Sequence, residues 1–313
     1  MSVKVGVVPG AWEWKGGPAA FFHFVDACEV FGWDSLWLSD RLVSERLSLE
    51  PVTALAAAAA RTQSMKFGTS VLALSVRNPA VLAKELATVD FLSGGRLLPA
   101  VGLGGEDERE YEATGTLKKE RAGRTDEAIP LLRRLWTEDH VTHHGRFYHL
   151  TDVTIAPKPK FAPYPPIWIG GRSKHAWDRV ARLGDGWLVS SVTAPEVEEG
   201  VRMIKSGLAE NDRRIEEDHY GVLLGVYLAA THQWAKERAV SIAARPRPDV
   251  PLEAYTALGP PETILARLKE YVAAGASKFV LRLACPEEEG IEQLRLLAEY
   301  VVKPVNVGEV ALT

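Results

Sequence analysis

Phe67-Gly-Thr-Ser-Val-Leu-Ala-Leu-Ser-Val-Arg-Asn-Pro-Ala-Val-Leu-Ala-Lys-Glu-Leu-Ala-Thr-Val-Asp-Phe-Leu-Ser-Gly-Gly-Arg-Leu-Leu-Pro-Ala-Val-Gly-Leu-Gly-Gly105 decides the fold. It reads as strand, helix, strand, with a glycine turn after each apolar run. No charged residue occurs in it before Arg77. Strands that lack charge in this way belong to a parallel sheet covered on both faces.

The same alternation extends in both directions. Apolar runs of strand length fall at 3–8, 35–39, 67–73, 96–102, 166–169, 186–190, 222–229 and 278–283. Helical patterns are expected at about 18–31, 51–62, 79–93, 119–137, 173–183, 195–209, 232–244 and 287–302, with another at about 261–274. Eight strand-helix units in 313 residues predict a single α/β domain, a closed (β/α)8 TIM barrel with insertions at about 139–165 and 245–261. An open doubly wound sheet is the alternative. Its first turn would carry a G-x-G-x-x-G fingerprint, and Pro9-Gly-Ala-Trp-Glu-Trp-Lys-Gly-Gly17 has none.

Bulk properties narrow the function classes. The chain is 46% hydrophobic and 25% charged, with net charge -4 and no dominant basic block, so a nucleic-acid partner is not expected. Residues 1–25 carry no signal-peptide pattern, and no apolar run reaches the roughly 18 to 20 residues that span a bilayer; a cytoplasmic protein is expected. Cys28 and Cys285 are too far apart in sequence for a disulfide framework or a zinc spacing to be read from them.

In a barrel the chemistry sits where strands run into loops at their C-terminal ends. Ile167-Trp-Ile-Gly-Gly-Arg-Ser-Lys174 ends a strand in paired glycines directly before a helix. Gly170, Gly171, Arg172 and Ser173 could bind a phosphate through backbone N–H groups, a cation and a hydroxyl; the alternative is a tight turn with Ser173 as helix cap. Gly102-Leu-Gly-Gly105 permits close backbone approach at Gly102 and Gly104, or makes only a turn. Asp40-Arg41 puts opposite charges at the end of the second strand, either in the site or as a rim ion pair. Arg282 would place a permanent charge near the barrel interior and should reach the mouth to meet an anion or carboxylate. Trp12 and Trp14 either wall a planar ligand or pack beneath the second insertion. His140, His143, His144 and His149 crowd one segment without a metal-ligand spacing, so no metal site is expected. Neither a G-x-S-x-G elbow nor a Walker sequence occurs.

The chain resembles the bacterial luciferase-like superfamily of flavin and deazaflavin enzymes, particularly its coenzyme F420-dependent branch. The resemblance runs through Gly68-Thr-Ser-Val-Leu72, Arg77-Asn-Pro79, Ser93-Gly-Gly-Arg96, Gly145-Arg-Phe-Tyr148, Pro165-Pro-Ile-Trp-Ile-Gly-Gly171 and Gly184-Asp-Gly-Trp187. It implies an F420-dependent oxidoreductase that moves a hydride between the deazaflavin and a small organic substrate; an FMN-dependent monooxygenase and a non-catalytic flavin-binding barrel are the alternatives. It also implies that Ser70 and Val71 lie against the cofactor ring across a cis peptide bond, that the Gly170–Ser173 turn holds the cofactor phosphate, and that the chain forms a homodimer. Asp40 and Glu106 are the candidate catalytic carboxylates, and Trp12, Trp14, Arg41 and Arg282 the candidate substrate contacts. In similar F420-dependent sugar-phosphate dehydrogenases the position of Arg41 carries a histidine base. Arginine cannot take that role at ordinary pH, so the sugar-phosphate activity does not carry over directly.

Overall fold

Asn78 and Gly94 bracket the helix of the deciding stretch for reasons visible in their side chains. The Asn78 Oδ1 accepts from the N–H groups of Ala80 (2.9 Å) and Val81 (3.2 Å), Pro79 occupies the first turn, and the Pro79–Ser93 helix stops at Gly94 in a left-handed conformation, φ 73°. A computed structural model describes residues 3–239 and 247–306.

The strands form a closed parallel ring. Lys4–Val8 pairs with Ser35–Leu38, which pairs with Lys66–Thr69. That third strand resumes as Leu72–Ala73 after an interruption at Ser70 and Val71, whose peptide bond is cis. The fourth strand is likewise split by Pro99 into Leu97–Leu98 and Ala100–Gly102, each half pairing with the corresponding half of the third. Trp168–Gly170, Gly186–Ser190, Tyr220–Leu228 and Lys278–Leu283 follow, and the last pairs back with Lys4–Val8. The expected barrel is therefore present, with helices between successive strands.

Two layers of apolar packing result. Val8, Trp37, Ala100, Trp168, Leu188, Leu223 and Val280 fill the interior, while a larger cluster lies between strands and outer helices. A Cβ at Gly186 would fall 2.6 Å from the Trp168 ring, so a glycine there makes room for the indole. At the N-terminal end of the strands, Lys278 is ion-paired with Asp34, and both are shielded from water.

Both insertions hold structure that the sequence pattern did not disclose. The first contains the antiparallel pair Val141–His144 and His149–Val153. Its turn is fastened by Glu127, whose carboxylate takes the N–H groups of Phe147 (3.1 Å) and Tyr148 (2.9 Å) and lies 3.0 Å from His143 Nε2. The second contains a further strand, Thr256–Gly259, which pairs with the outer half of Tyr220–Leu228. Four residues in a proline-rich run were too short a signal to read. The expected helix at 232–244 is found as His232–Ala239, its remainder lying outside the described residues. Among the described residues no helix is long and apolar enough to cross a membrane, and no group of three or more His, Cys, Asp or Glu side chains is placed to hold a metal ion.

Candidate active site

A cavity of about 1170 Å³ opens at the C-terminal ends of the strands, where a barrel carries its chemistry. Its lining includes Asp40, Arg41, Ser70, Val71, Gly102, Gly104, Glu106, Gly170, Gly171, Ser173, Trp12, Trp14 and Arg282. Residues from most of the chain's length are thus brought to one mouth by the segments that follow strands one to six, with Arg282 added from within strand eight.

Val71 forms the floor. A Cβ at Gly102 would lie 2.7 Å from Val71 Cγ2, and one at Gly170 would lie 3.0 Å from Val71 Cγ1. The two glycines therefore accept the valine side chain between them, which gives each a packing reason as well as an open backbone. Ser70 meets Ser39 with 3.3 Å between their hydroxyls, and Arg282 Nη2 donates to Ser39 Oγ at 3.4 Å. Gly104 is left-handed, φ 90°, and a Cβ there would meet the Tyr111 hydroxyl at 2.8 Å.

The turn after strand five has the features of an anion site. Ser173 caps the Lys174–Leu183 helix by accepting from Ala176 N at 3.2 Å. No acceptor among the described residues takes the N–H groups of Lys174 or His175, which leaves the first turn able to donate to a ligand. Arg172 is exposed and donates to the Ser191 carbonyl at 2.7 Å. Gly171 has φ 123°, and a Cβ there would fall 2.7 Å from Ala176 Cβ. This residue set fits a phosphate-bearing cofactor: uncommitted donors, a nearby guanidinium, and a wide cavity alongside.

The two candidate catalytic carboxylates are placed differently. Asp40, its side chain only 4% exposed, receives Arg77 in a forked ion pair (Nη2 to Oδ1 2.9 Å, Nε to Oδ2 3.2 Å) and the Ala73 N–H at 3.0 Å. Its oxygens hold the resumed third strand against the second, which is a positioning role. Glu106 is largely exposed and bridges Arg121 (2.9 Å) and Lys118 (3.1 Å); hydrogen bonds from these two hold its carboxyl below the usual carboxylate range, so it is ionised at neutral pH. Trp12 is buried, donates to the Cys285 carbonyl at 2.9 Å and packs edge-on against Trp14 and Phe24. The two tryptophans thus stack on the first helix while facing the cavity, rather than beneath the second insertion.

Several lining residues carried no sequence signal. His175, Asp126, Arg179, Arg182 and Glu110 also border the cavity. Arg179 is buried and paired with Asp126. His175 directly follows the Gly-Gly-Arg-Ser-Lys motif. Glu110 sits among other acids in Glu106-Asp-Glu-Arg-Glu110, where only its burial, at 2% exposure, sets it apart.

Comparison with known proteins supplies a family for this geometry. The family model described as luciferase-like monooxygenase matches residues 5–247. The chain is 29% identical to an F420-dependent glucose-6-phosphate dehydrogenase of Amycolatopsis mediterranei (strain U-32), over 95% of this chain and 96% of that one. It is 32% identical to an FMNH(2)-dependent dimethylsulfone monooxygenase of Pseudomonas putida, over 64% of this chain and 54% of that one. Among solved structures it resembles an F420-dependent secondary alcohol dehydrogenase in complex with an F420-acetone adduct, with TM-score 0.80 and 19% identity, covering 98% of this chain and 99% of the other; that likeness shows a common fold.

Proposed function

The chain belongs to the luciferase-like monooxygenase family, and from that premise we propose that it is a coenzyme F420-dependent oxidoreductase acting on a small organic substrate. The observation that carries this reading is the pairing of the Val71 floor with the donor-rich turn at 170–175 in one cavity, alongside near full-length similarity to F420-dependent dehydrogenases. When bound, a deazaflavin supplies a carbon centre that exchanges hydride. The protein's share is to hold, shield and charge-match the ring.

In this reading Gly170, Gly171 and Ser173 with the first helical turn hold the phosphate, and Arg172 adds positive charge. Ser70, Val71, Gly102 and Gly104 shape the ring's seat. Asp40 keeps that seat rigid through Arg77 and Ala73. Trp12, Trp14, Arg41 and Arg282 border the remaining space and contact substrate. Glu106, ionised and held by two cations, serves as a charge anchor for the rim, and its catalytic use would require those pairs to open.

FMN is the second reading, favoured by the similarity to an FMNH(2)-dependent enzyme. Calorimetric titration with coenzyme F420 and FMN distinguishes them: tighter F420 binding is expected, and retention of FMN with no deazaflavin binding would overturn the first reading. A cytoplasmic homodimer belongs to the same proposal, supported by the exposed Val81, Phe91 and Leu92 on the third helix. A monomer mass by sedimentation at micromolar concentration would remove the dimer.

A further inference from the structure

The carboxylates lining the cavity divide sharply by partner. Asp40, Glu106, Asp126 and Asp178 each meet an arginine. Glu110 does not: among the described residues its carboxylate has no hydrogen bond and no ion pair, although the residue is only 2% exposed and borders the cavity. A carboxylate in that condition faces whatever the cavity holds and gains when a ligand brings it a donor.

Arg41 lies close by. A Cβ at Gly105 would sit 2.9 Å from Arg41 Nη1 and 3.4 Å from Glu110 Oε2, so both groups pack against one glycine of the cavity wall, a donor beside an acceptor. The chemistry that satisfies both is a ring edge with an N–H beside a C=O. Cyclic imides have that edge, and the pyrimidine rings of flavins and deazaflavins share it.

We propose that Glu110 and Arg41 form the recognition pair for a cyclic imide edge, with Glu110 accepting from the ring N–H and Arg41 donating to the adjacent carbonyl. This rests on the reading that a flavin-type ring fills the cavity. It assigns Glu110 to binding and orientation, gives this cavity carboxylate a partner, and applies equally to F420 and FMN. Arg41 thereby turns to the cofactor ring instead of the substrate, a task suited to a permanent cation.

The test compares each cofactor with its 3-methyl derivative, in which the imide N–H is replaced, by equilibrium titration against wild type, Glu110→Ala and Glu110→Gln. In the wild type, methylation should weaken binding of whichever cofactor it takes up by about 10- to 100-fold, the worth of a hydrogen bond to a charged acceptor. In Glu110→Ala the same methylation should cost less than about threefold. Unliganded Glu110→Gln should melt no lower than wild type, since the side chain has no hydrogen bond or ion pair to lose. Equal binding of parent and methylated ring by the wild type, or an undiminished methyl penalty in Glu110→Ala, overturns the proposal, as does a lower melting temperature of Glu110→Gln with unchanged affinity. A wild type that binds neither cofactor overturns the flavin-site reading along with it, whereas cofactor binding indifferent to Glu110 overturns only this inference.

Discussion

The two ends of this barrel handle charge in opposite ways. At the N-terminal end Lys278 is buried under the Trp37 ring, 5.8 Å from its centroid, and closes on Asp34, which also accepts from Ser35 Oγ at 2.9 Å. At the C-terminal mouth the cavity keeps N–H groups of the 174–175 turn and the Glu110 carboxylate uncommitted. Both ends are built on the same eight strands. One pairs its buried charges and serves stability, while the other, though most of its carboxylates meet an arginine, leaves Glu110 and a helix turn open for the binding proposed above.

The largest expected effect tests the closed end. Lys278→Met should cost about 3 to 5 kcal/mol in denaturant unfolding, because it strands a buried aspartate, while cofactor affinity stays near wild type. Burial works against the charge on Asp34, yet Lys278 beside it holds its carboxyl below the ordinary 3.8. That stabilisation is present above the unfolded value and lost only as pH falls through the lowered folded one. In Lys278→Met burial, the largest influence on Asp34, is opposed only by the Ser35 hydrogen bond and the Lys66 charge, so the Asp34 value should rise and the acid loss of stability should shrink. An acid loss equal to that of wild type would remove the ion pair from the account.

A mid-sized effect probes the cavity floor. Gly102→Val should destabilise by about 1 to 3 kcal/mol through overpacking against Val71, and Val71→Ala should restore part of that loss in the double variant. Independent, additive costs would show that the two side chains do not compete for one space. At the open end, Ser173→Asp keeps a competent helix cap while placing negative charge where a phosphate is expected. Cofactor affinity should fall at least about tenfold, with unfolding unchanged within about 0.5 kcal/mol; unchanged affinity would move the phosphate elsewhere. Gly171→Val is a poorer probe, since φ 123° and the 2.7 Å approach to Ala176 would strain the fold itself. The smallest effect belongs to Glu106→Gln, where loss of an exposed pair should change stability by less than about 0.5 kcal/mol. A large drop in turnover with intact cofactor binding would return Glu106 to a chemical role.

What the sequence settled by itself was whatever depends on near neighbours. The strand and helix order and the glycine turns follow from side chains acting within a few residues of themselves, and so does the Ser173 cap that the sequence offered as one of two readings. The barrel followed because the count of eight strand-helix units matches it and the first turn lacks the fingerprint of an open nucleotide-binding sheet. The short Thr256–Gly259 strand escaped because its identity comes from pairing with Tyr220–Leu228, not from its own pattern. The electrostatics of the mouth belonged to tertiary structure for a similar reason. Asp40 is next to Arg41 in sequence but pairs with Arg77, 37 positions away. Glu106 and Glu110 lie four residues apart among the same acids, yet the fold places one in solvent bridging two cations and turns the other inward without an ion pair. Charge interactions are decided by distance through space and by exclusion of water, and neither quantity exists until the ring has closed.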